Sequence, residues 1–409
     1  MIFKLIKFRK KEICFFFKLL INFKNFIQKL FFLIIVFLII PLVISVAFYT
    51  LTERKIIAAI QRRFGPNIAG PFGTLQAFAD GLKAILKEQI KPTRSIFYLF
   101  IFSPILTFIL SLFSLNFICF SQASSYFDEC LNFYFFFSIS CFGILGIIFA
   151  GWTSNSKYSL LGSLRAAAQT FSFEMCFITL LLPIFLLNSN FNFIDIVINQ
   201  INFWNFFVFF TTAIFFFIVI LAETNRTPFD LPEAEAELVA GFNLEYSAIN
   251  FALFFLAEYT NMLLNSAVYV IFFLGGWLVP FLKIKYFYLI VSKEFIYIFF
   301  FNCKLIFIAI LFILVRAILP RYRFDQLMDI CWKKILPISG TFFLFFIYFI
   351  YFFEGFQFNL EIDKASPKFL TYFLYLINKK KIKNIKRKIY FKKILNNFIK
   401  CINFLLNLI

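Results

Sequence analysis

Carboxylates stand in this chain where carboxylates are costly. Residues 222–241, AETNRTPFDLPEAEAELVAG, carry Glu223, Asp230, Glu233, Glu235 and Glu237 with one cation, Arg226, between two almost purely apolar segments. The chain as a whole is basic, with 40 Lys and Arg against 21 Asp and Glu and a net charge of +19. An acidic cluster at the edge of apolar sequence is expensive to hold, so it points to function. Glu174 stands alone in a run of apolar and small residues, and Glu258 sits near the middle of FFLAEYTNMLLNS. Glu53 and Glu245 complete a set (Glu53, Glu174, Glu223, Glu233, Glu235, Glu237, Glu245 and Glu258) running from one surface toward mid-membrane. That layout suits a proton-coupled device with no cofactor of its own. His is absent, which removes the commonest proton shuttle and metal ligand. The eight cysteines are scattered without a C-x-x-C pair, which argues against a bound iron–sulfur cluster or zinc.

Each of these residues also has a plainer placement. Glu174 either faces a bundle interior or snorkels from a helix end to the interface. Asn261 and Asn265 follow Glu258 at i+3 and i+7 and share its face. That stripe is either a wet interior path or interhelical glue. Asp230 with Glu233 fits an N-cap and capping-box pair, and Pro232 fits the first turn. Glu233 and Glu237 then repel at i,i+4 unless they share a proton or meet an arginine. The other possibility is a solvated acidic helix. Arg316, Arg321 and Arg323 supply positive charge on the same face, either as partners for the acids or as interfacial anchors.

These residues must be positioned by membrane helices. The chain has 409 residues, of which 62% are hydrophobic, and a mean hydropathy of +0.87. No soluble domain of this size hides so much apolar surface, so the expected class is an all-α, polytopic membrane protein. Runs of about twenty apolar residues span a bilayer. Eight are expected, at residues 27–51, 95–121, 131–151, 170–187, 203–222, 248–275, 296–319 and 338–353. The 72 phenylalanines are read as compositional bias of an AT-rich genome, because Phe replaces Leu against lipid at small cost.

Loops after the first, third, fifth and seventh spans are rich in charge, which places them on the matrix-like side by the positive-inside rule. The first carries Gly65-Pro66-Asn67 as a turn signal and then an amphipathic helix from Thr74. Leu75, Phe78, Ala79, Leu82, Ile85 and Leu86 share one face of it; Asp80, Lys83 and Lys87 share the other, with Asp80 in reach of Lys83 at i,i+3. Two basic ends run against that orientation: residues 1–26 and 354–409 are lysine-rich extensions flanking the membrane domain at 27–353. Their Lys/Phe/Ile mixture suits an interfacial helix near anionic lipid or a partner subunit. The basic charge lies in loops and tails around membrane spans, so nucleic acid is not an expected partner.

The long blocks TERK, QRRFGPN, GPFGTLQAFADGLKAILKE, GWTSNSKYSLLGSLRAAAQTFSFEM, LAETNRTPFDLPEAEAELVAGFNLEYS, FALFFLAEY and RAILPRYRFDQLM closely resemble the NADH dehydrogenase subunit 1 family of respiratory complex I. They occur in the family's order and cover roughly residues 30–353. The two basic extensions depart from the family's pattern. The resemblance implies about eight transmembrane helices, with amphipathic helices in the matrix-side loops, at the junction of the complex's two arms. It implies a chamber through which ubiquinone reaches an iron–sulfur cluster held by a peripheral subunit. Glu53, Arg54, Gln61, Arg63, Phe64, Asp80, Lys83, Arg226, Phe229 and Asp230 would lie around that chamber. Glu174, Glu223, Glu233, Glu235, Glu237, Glu245 and Glu258 would belong to an acidic path linking quinone chemistry to proton pumping. No catalytic or metal-ligating residue is implied in this chain: NADH, FMN and the iron–sulfur clusters would sit in partner subunits, with ubiquinone as substrate. Other complex I subunits and membrane lipids, cardiolipin among them, would be the partners, in the mitochondrial inner membrane and from an organelle-encoded gene. The competing classes are a carboxylate-based secondary transporter acting alone and the membrane anchor subunit of a related hydrogenase.

Overall fold

The computed structural model describes residues 41–121, 132–188, 190–201, 203–230, 241–279 and 293–354. These residues form helices and connecting turns, with no strand among them. Helix α1 covers residues 41–60. It is followed by α2 (Gln76–Leu86), α3 (Phe97–Ser114), α4 (Asn132–Thr153), α5 (Lys157–Asn188), α6 (Phe193–Asn199), α7 (Asn205–Val208) and α8 (Phe210–Glu223). The remainder is α9 (Ala248–Phe273), α10 (Lys293–Ile318), α11 (Phe324–Asp329), a π-helical turn (Ile330–Ile335) and α12 (Leu336–Glu354).

Six helical segments are long and apolar enough to cross a bilayer: Phe97–Phe117, Asn132–Thr153, Lys157–Asn188, Ala248–Phe273, Glu294–Ile318 and Phe324–Phe349. Helix α8 is a shorter apolar helix, and the first expected span is described only from residue 41. Two boundaries differ from the sequence pattern. The fourth helix begins at Lys157 rather than near residue 170, because Ser159, Gly162, Ser163 and Ala166 are small, buried residues that face the bundle. The last begins in α11 and continues through the π turn, since Leu327, Cys331 and Ile335 pack inward while Lys333 and Lys334 stay outside. The two basic extensions lie outside the described residues.

Helix α5 is the hub. It packs against α4, α8 and α12, and more of it is buried than of any other candidate span. Lipid is as apolar as leucine, so helices associate through close packing of small residues rather than by hydrophobicity alone. Gly151 of α4 sits on Ser163 of α5, Gly146 of α4 on Thr107 of α3, and Gly162 of α5 on the backbone of Gly241. Phenylalanine fills the remaining core: Phe133, Phe185 and Phe193 surround Phe272, each meeting it edge-on at 5.5–5.9 Å between ring centroids.

Backbone polar groups inside a bilayer must be satisfied by protein. The C-terminal carbonyls of α9 meet this demand with three side chains. Gln200 Nε2 donates to Ile271 O (2.8 Å), Asn205 Nδ2 to Phe272 O (2.9 Å), and Lys304 Nζ to the carbonyls of Leu274, Gly276 and Leu278 at 2.6–2.9 Å. The turn that presents these carbonyls uses Gly275 (φ +68°) and Gly276 (φ +50°), left-handed conformations suited to glycine.

The Gly162–Gly241 contact yields a test. A Cβ on Gly162 would lie 2.7 Å from Gly241 Cα, whereas one on Gly340 of α12 would meet nothing within 4 Å. Gly162→Ala should destabilise the fold by about 1–3 kcal/mol through overpacking, and Gly340→Ala should be neutral or stabilising. Thermal inactivation of the solubilised protein compares them; equal midpoints would refute the packing account.

Candidate functional site

The acidic loop after α8 is anchored rather than loose. Helix α8 ends at Glu223, and Asn225 takes a left-handed conformation (φ +52°) that turns the chain. Gln169, buried in α5, donates from Nε2 to Ala222 O (2.9 Å) and to Phe229 O (2.8 Å) and so ties both ends of the turn to one side chain. From the other side, Tyr322 N donates to Pro228 O at 3.0 Å, the Tyr322 ring stacks on Phe229, and Arg321 pairs with Asp230 at 3.4 Å. Phe229 is buried between Tyr322 and Phe173.

That anchoring projects Arg226 into the bundle, where it is 5% exposed. Its guanidinium lies 3.9 Å from Glu53 of α1 and 3.8 Å from Glu258 of α9, and over the Tyr259 ring at 4.3 Å. The hydroxyl of Tyr259 donates to Glu53 Oε2 at 2.6 Å, and Arg316, from the end of α10, pairs with Glu53 Oε1. Glu53 is 3% exposed, so its charge is held by two arginines and a tyrosine instead of water. The quartet Glu53, Glu258, Arg226 and Arg316 is neutral in total, as a buried charged set must be to survive in low dielectric.

Glu258 is also the doorway to a cavity of about 100 Å³. Its lining includes Glu174, Glu223, Glu258, Asn261 and Asn265, with Thr107, Ser111, Ser140 and Thr170. Leu110, Phe136, Ile139, Ile144, Ile147 and Leu264 add apolar wall, and the volume is large enough to hold water against the polar groups. The three carboxylates come from three helices, α5, α8 and α9. Among the described residues, no lysine or arginine lines the cavity. Cys141 Sγ donates to Glu174 Oε2 at 3.2 Å, and Asn265 lines the same cavity as Glu223. Asn261 and Asn265 share the Glu258 face, as their spacing predicts.

At the outer surface, Arg54 pairs with Asp80 at 2.6 Å, and Gln76 donates to the same carboxylate at 3.0 Å. Lys83, expected in reach of Asp80, is exposed: the carboxylate is taken by Arg54 of α1 and by Gln76 one turn earlier in α2. Arg63 bonds Gln61 at 2.8 Å, and Phe64 is 91% exposed. The apolar face of α2, with Phe78, Leu82, Ile85 and Leu86, is exposed in the isolated chain. Glu245 is half-buried in a turn and carries no ion pair among the described residues. Glu233, Glu235 and Glu237 lie outside the described residues, and with them the capping box at Asp230. Among the described residues no three His, Cys, Asp or Glu side chains converge to hold a metal.

Tyr259 and Gln169 join the site without having been singled out, and of the two readings open for Arg316 and Arg321 the structure takes the ion-pair partner for both. Adjacency to Glu258 was the one local signal for Tyr259; Arg316 lies 263 positions from Glu53 and carries none. Tyr246 closes the floor beside α3 and α4, with Ser103 Oγ at 2.9 Å and its ring stacked on Phe100 at 4.1 Å. Burial pushes its hydroxyl well above the ordinary tyrosine range, so it serves as a neutral hydrogen-bonding group.

Long apolar helices around an interior that holds paired and cavity-lining carboxylates define a polytopic integral membrane protein. The profile of a family described as NADH dehydrogenase matches residues 33–347. The chain is 48% identical over 332 residues to NADH-ubiquinone oxidoreductase chain 1 of Cyanidium caldarium, covering 81% of this chain and 95% of that one. It is 49% identical over 306 residues to the chain 1 of Chondrus crispus (75% and 92%). It is 48% identical over 302 residues to the chain 1 of Arabidopsis thaliana (74% and 91%). The chain therefore belongs to the NADH dehydrogenase family, among its chain 1 members.

The quartet makes a stability prediction. Removing one partner of a buried ion pair costs about 3–5 kcal/mol, because it strands the opposite charge. Arg226→Gln should lower the thermal midpoint of the solubilised enzyme, and adding Glu258→Gln should recover part of the loss. Additive effects of the two substitutions would refute the coupling.

Proposed function

We propose that this chain is the membrane subunit of a respiratory NADH:ubiquinone oxidoreductase that walls the ubiquinone chamber and starts the proton-coupling route. One observation carries this reading. Arg226 bridges Glu53, on the helix leading to the charged surface loop, and Glu258, which opens onto the carboxylate cavity. A charge change at the surface end therefore has a short electrostatic path into the bundle.

On the chamber side, Arg54, Gln61, Arg63, Phe64, Asp80 and Lys83 form an exposed, mixed surface beside the buried Glu53, Arg226 and Asp230. Exposed Phe64 supplies apolar contact to an isoprenoid tail, while Phe229, packed in the core, braces the loop. The exposed apolar face of α2 is covered by lipid or by the peripheral subunits that hold the FMN and iron–sulfur clusters and oxidise NADH. On the membrane side, Glu223, Glu174 and Glu258 line one cavity, with Arg226 reaching only Glu258, an arrangement in which carboxylates pass protons between them through water. Glu233, Glu235, Glu237 and Glu245 extend the acidic route toward the chamber.

The reaction at the quinone adds electrons and takes up protons. In this reading the charge change is felt first by Glu53 and Arg226. Arg226 then shifts its balance between Glu53 and Glu258, and the cavity carboxylates pass or receive a proton toward adjacent membrane-arm subunits. The setting is the mitochondrial inner membrane, with residues 27–353 as the transmembrane domain and the basic segments 1–26 and 354–409 resting on anionic lipid or neighbouring subunits.

The test separates catalysis from coupling. Glu258→Gln and Glu233→Gln should each stop turnover or uncouple it, lowering proton translocation per NADH oxidised. Simultaneous NADH oxidation and proton-uptake assays in membrane vesicles measure both; unchanged rates in both variants would defeat the proposal. Migration of the chain alone, outside a large assembly containing iron–sulfur proteins, would instead favour an independent carboxylate transporter.

A further inference from the structure

Two cysteines far apart in sequence meet in the core. Cys176 lies on α5 two residues after Glu174, and Cys331 lies in the π turn between α11 and α12. Their Sγ atoms are 3.4 Å apart, both residues are fully buried, and Cys331 Sγ also donates to Ser172 O at 3.3 Å. A disulfide bond is about 2.05 Å long, so closing this one requires about 1.4 Å of combined sulfur movement from the observed separation. Side-chain rotation supplies movement of that size. The π turn contributes to the approach: an extra residue in a helical turn re-aims its side chains, and such turns mark functional positions.

The location gives the pair a consequence. The segment leading to Cys331 holds the acidic loop from one side, through Arg321 to Asp230, Tyr322 N to Pro228 O, and Tyr322 against Phe229. Helix α5 holds it from the other side, through Gln169 to Ala222 O and Phe229 O. The thiols are the sulfur-to-sulfur contact between those two holders.

We propose that Cys176 and Cys331 are a reversible oxidation site whose disulfide locks the two holders of the acidic loop together. The oxidant is an apolar hydroperoxide of the lipid phase. One thiol takes the terminal peroxide oxygen, the O–O bond breaks and an alcohol leaves; the resulting sulfenic acid is attacked by the second thiol, the S–S bond forms and water leaves. Two electrons pass from sulfur to the peroxide, and a dithiol reductant reverses the step. Cys331 belongs to the span Phe324–Phe349, of whose most apolar window 17% is buried, so its helix borders the lipid from which a lipid-soluble oxidant arrives.

The effect on turnover rests on the coupling role proposed for the loop; bond formation does not. Membrane vesicles holding the assembled enzyme are treated with diamide, a membrane-permeant two-electron thiol oxidant, and digested without reductant for mass spectrometry. A cross-linked peptide joining Cys176 to Cys331 is expected, lost on treatment with dithiothreitol. NADH:ubiquinone turnover should fall by about twofold or more, as when a gating motion is restrained, and recover with dithiothreitol. Cys331→Ala should retain basal turnover and lose the diamide sensitivity; Cys176→Ser is the second variant should the first fail to assemble. Absence of the cross-linked peptide overturns the site. A cross-link accompanied by unchanged turnover, or by equal inhibition in the variants, overturns the locking while leaving the proton-coupling reading to its own test.

Discussion

The structure depends on keeping one guanidinium satisfied out of reach of water. Arg226 carries a full charge into a region of low dielectric, where an unpaired ion costs several kcal/mol. Glu53, Glu258 and the Tyr259 ring each sit within about 4 Å of it. Those partners come from α1 and α9, while Arg226 itself is delivered by a loop hung from α5 and from the α10–α11 connection. Satisfying one side chain therefore fixes five elements relative to one another. Arg316 completes the balance by answering the second negative charge.

A different rule governs the bundle away from this centre. Hydrophobic burial gives helices in lipid little reason to associate, so specificity rests on close approach and on satisfied backbone. The glycine contacts of α4 and α5 supply the first. Gln169, Gln200, Asn205 and Lys304 supply the second, each donating to carbonyls that regular helical bonding leaves open. Phenylalanine then fills whatever space remains. Its abundance carries no functional message, because the polar residues have already set the geometry.

Much of the site was legible in the sequence because its cost was legible. Glu174 and Glu258 stand out in apolar runs, and the i+3 and i+7 spacing of Asn261 and Asn265 placed them on the cavity face of α9. Composition and the long apolar runs identified the membrane class, and the motif blocks carried the family. Long-range pairings were not legible. Arg316 resembles an interfacial anchor until α10 packs beside α1, and Asp80 pairs with Arg54 across a turn instead of with Lys83 on its own helix. The start of α5 was misplaced for a related reason: Ser159 and Ser163 resemble loop residues when only composition is considered, yet small polar side chains are what let α4 approach. Periodicity reports one helix at a time, whereas the site is made where several meet.

The clamp on the far end of α9 has a mechanical consequence. At about 1.5 Å per residue a helix of 26 residues is close to 40 Å long. Toward the middle of its length stands Glu258, facing Arg226 across 3.8 Å, while the C-terminal end is seized by Gln200, Asn205 and Lys304. A rod held firmly at its foot cannot slide along its axis without breaking those bonds. The helix is thus a strut moored at one membrane face, and it presents its one carboxylate partway along its length.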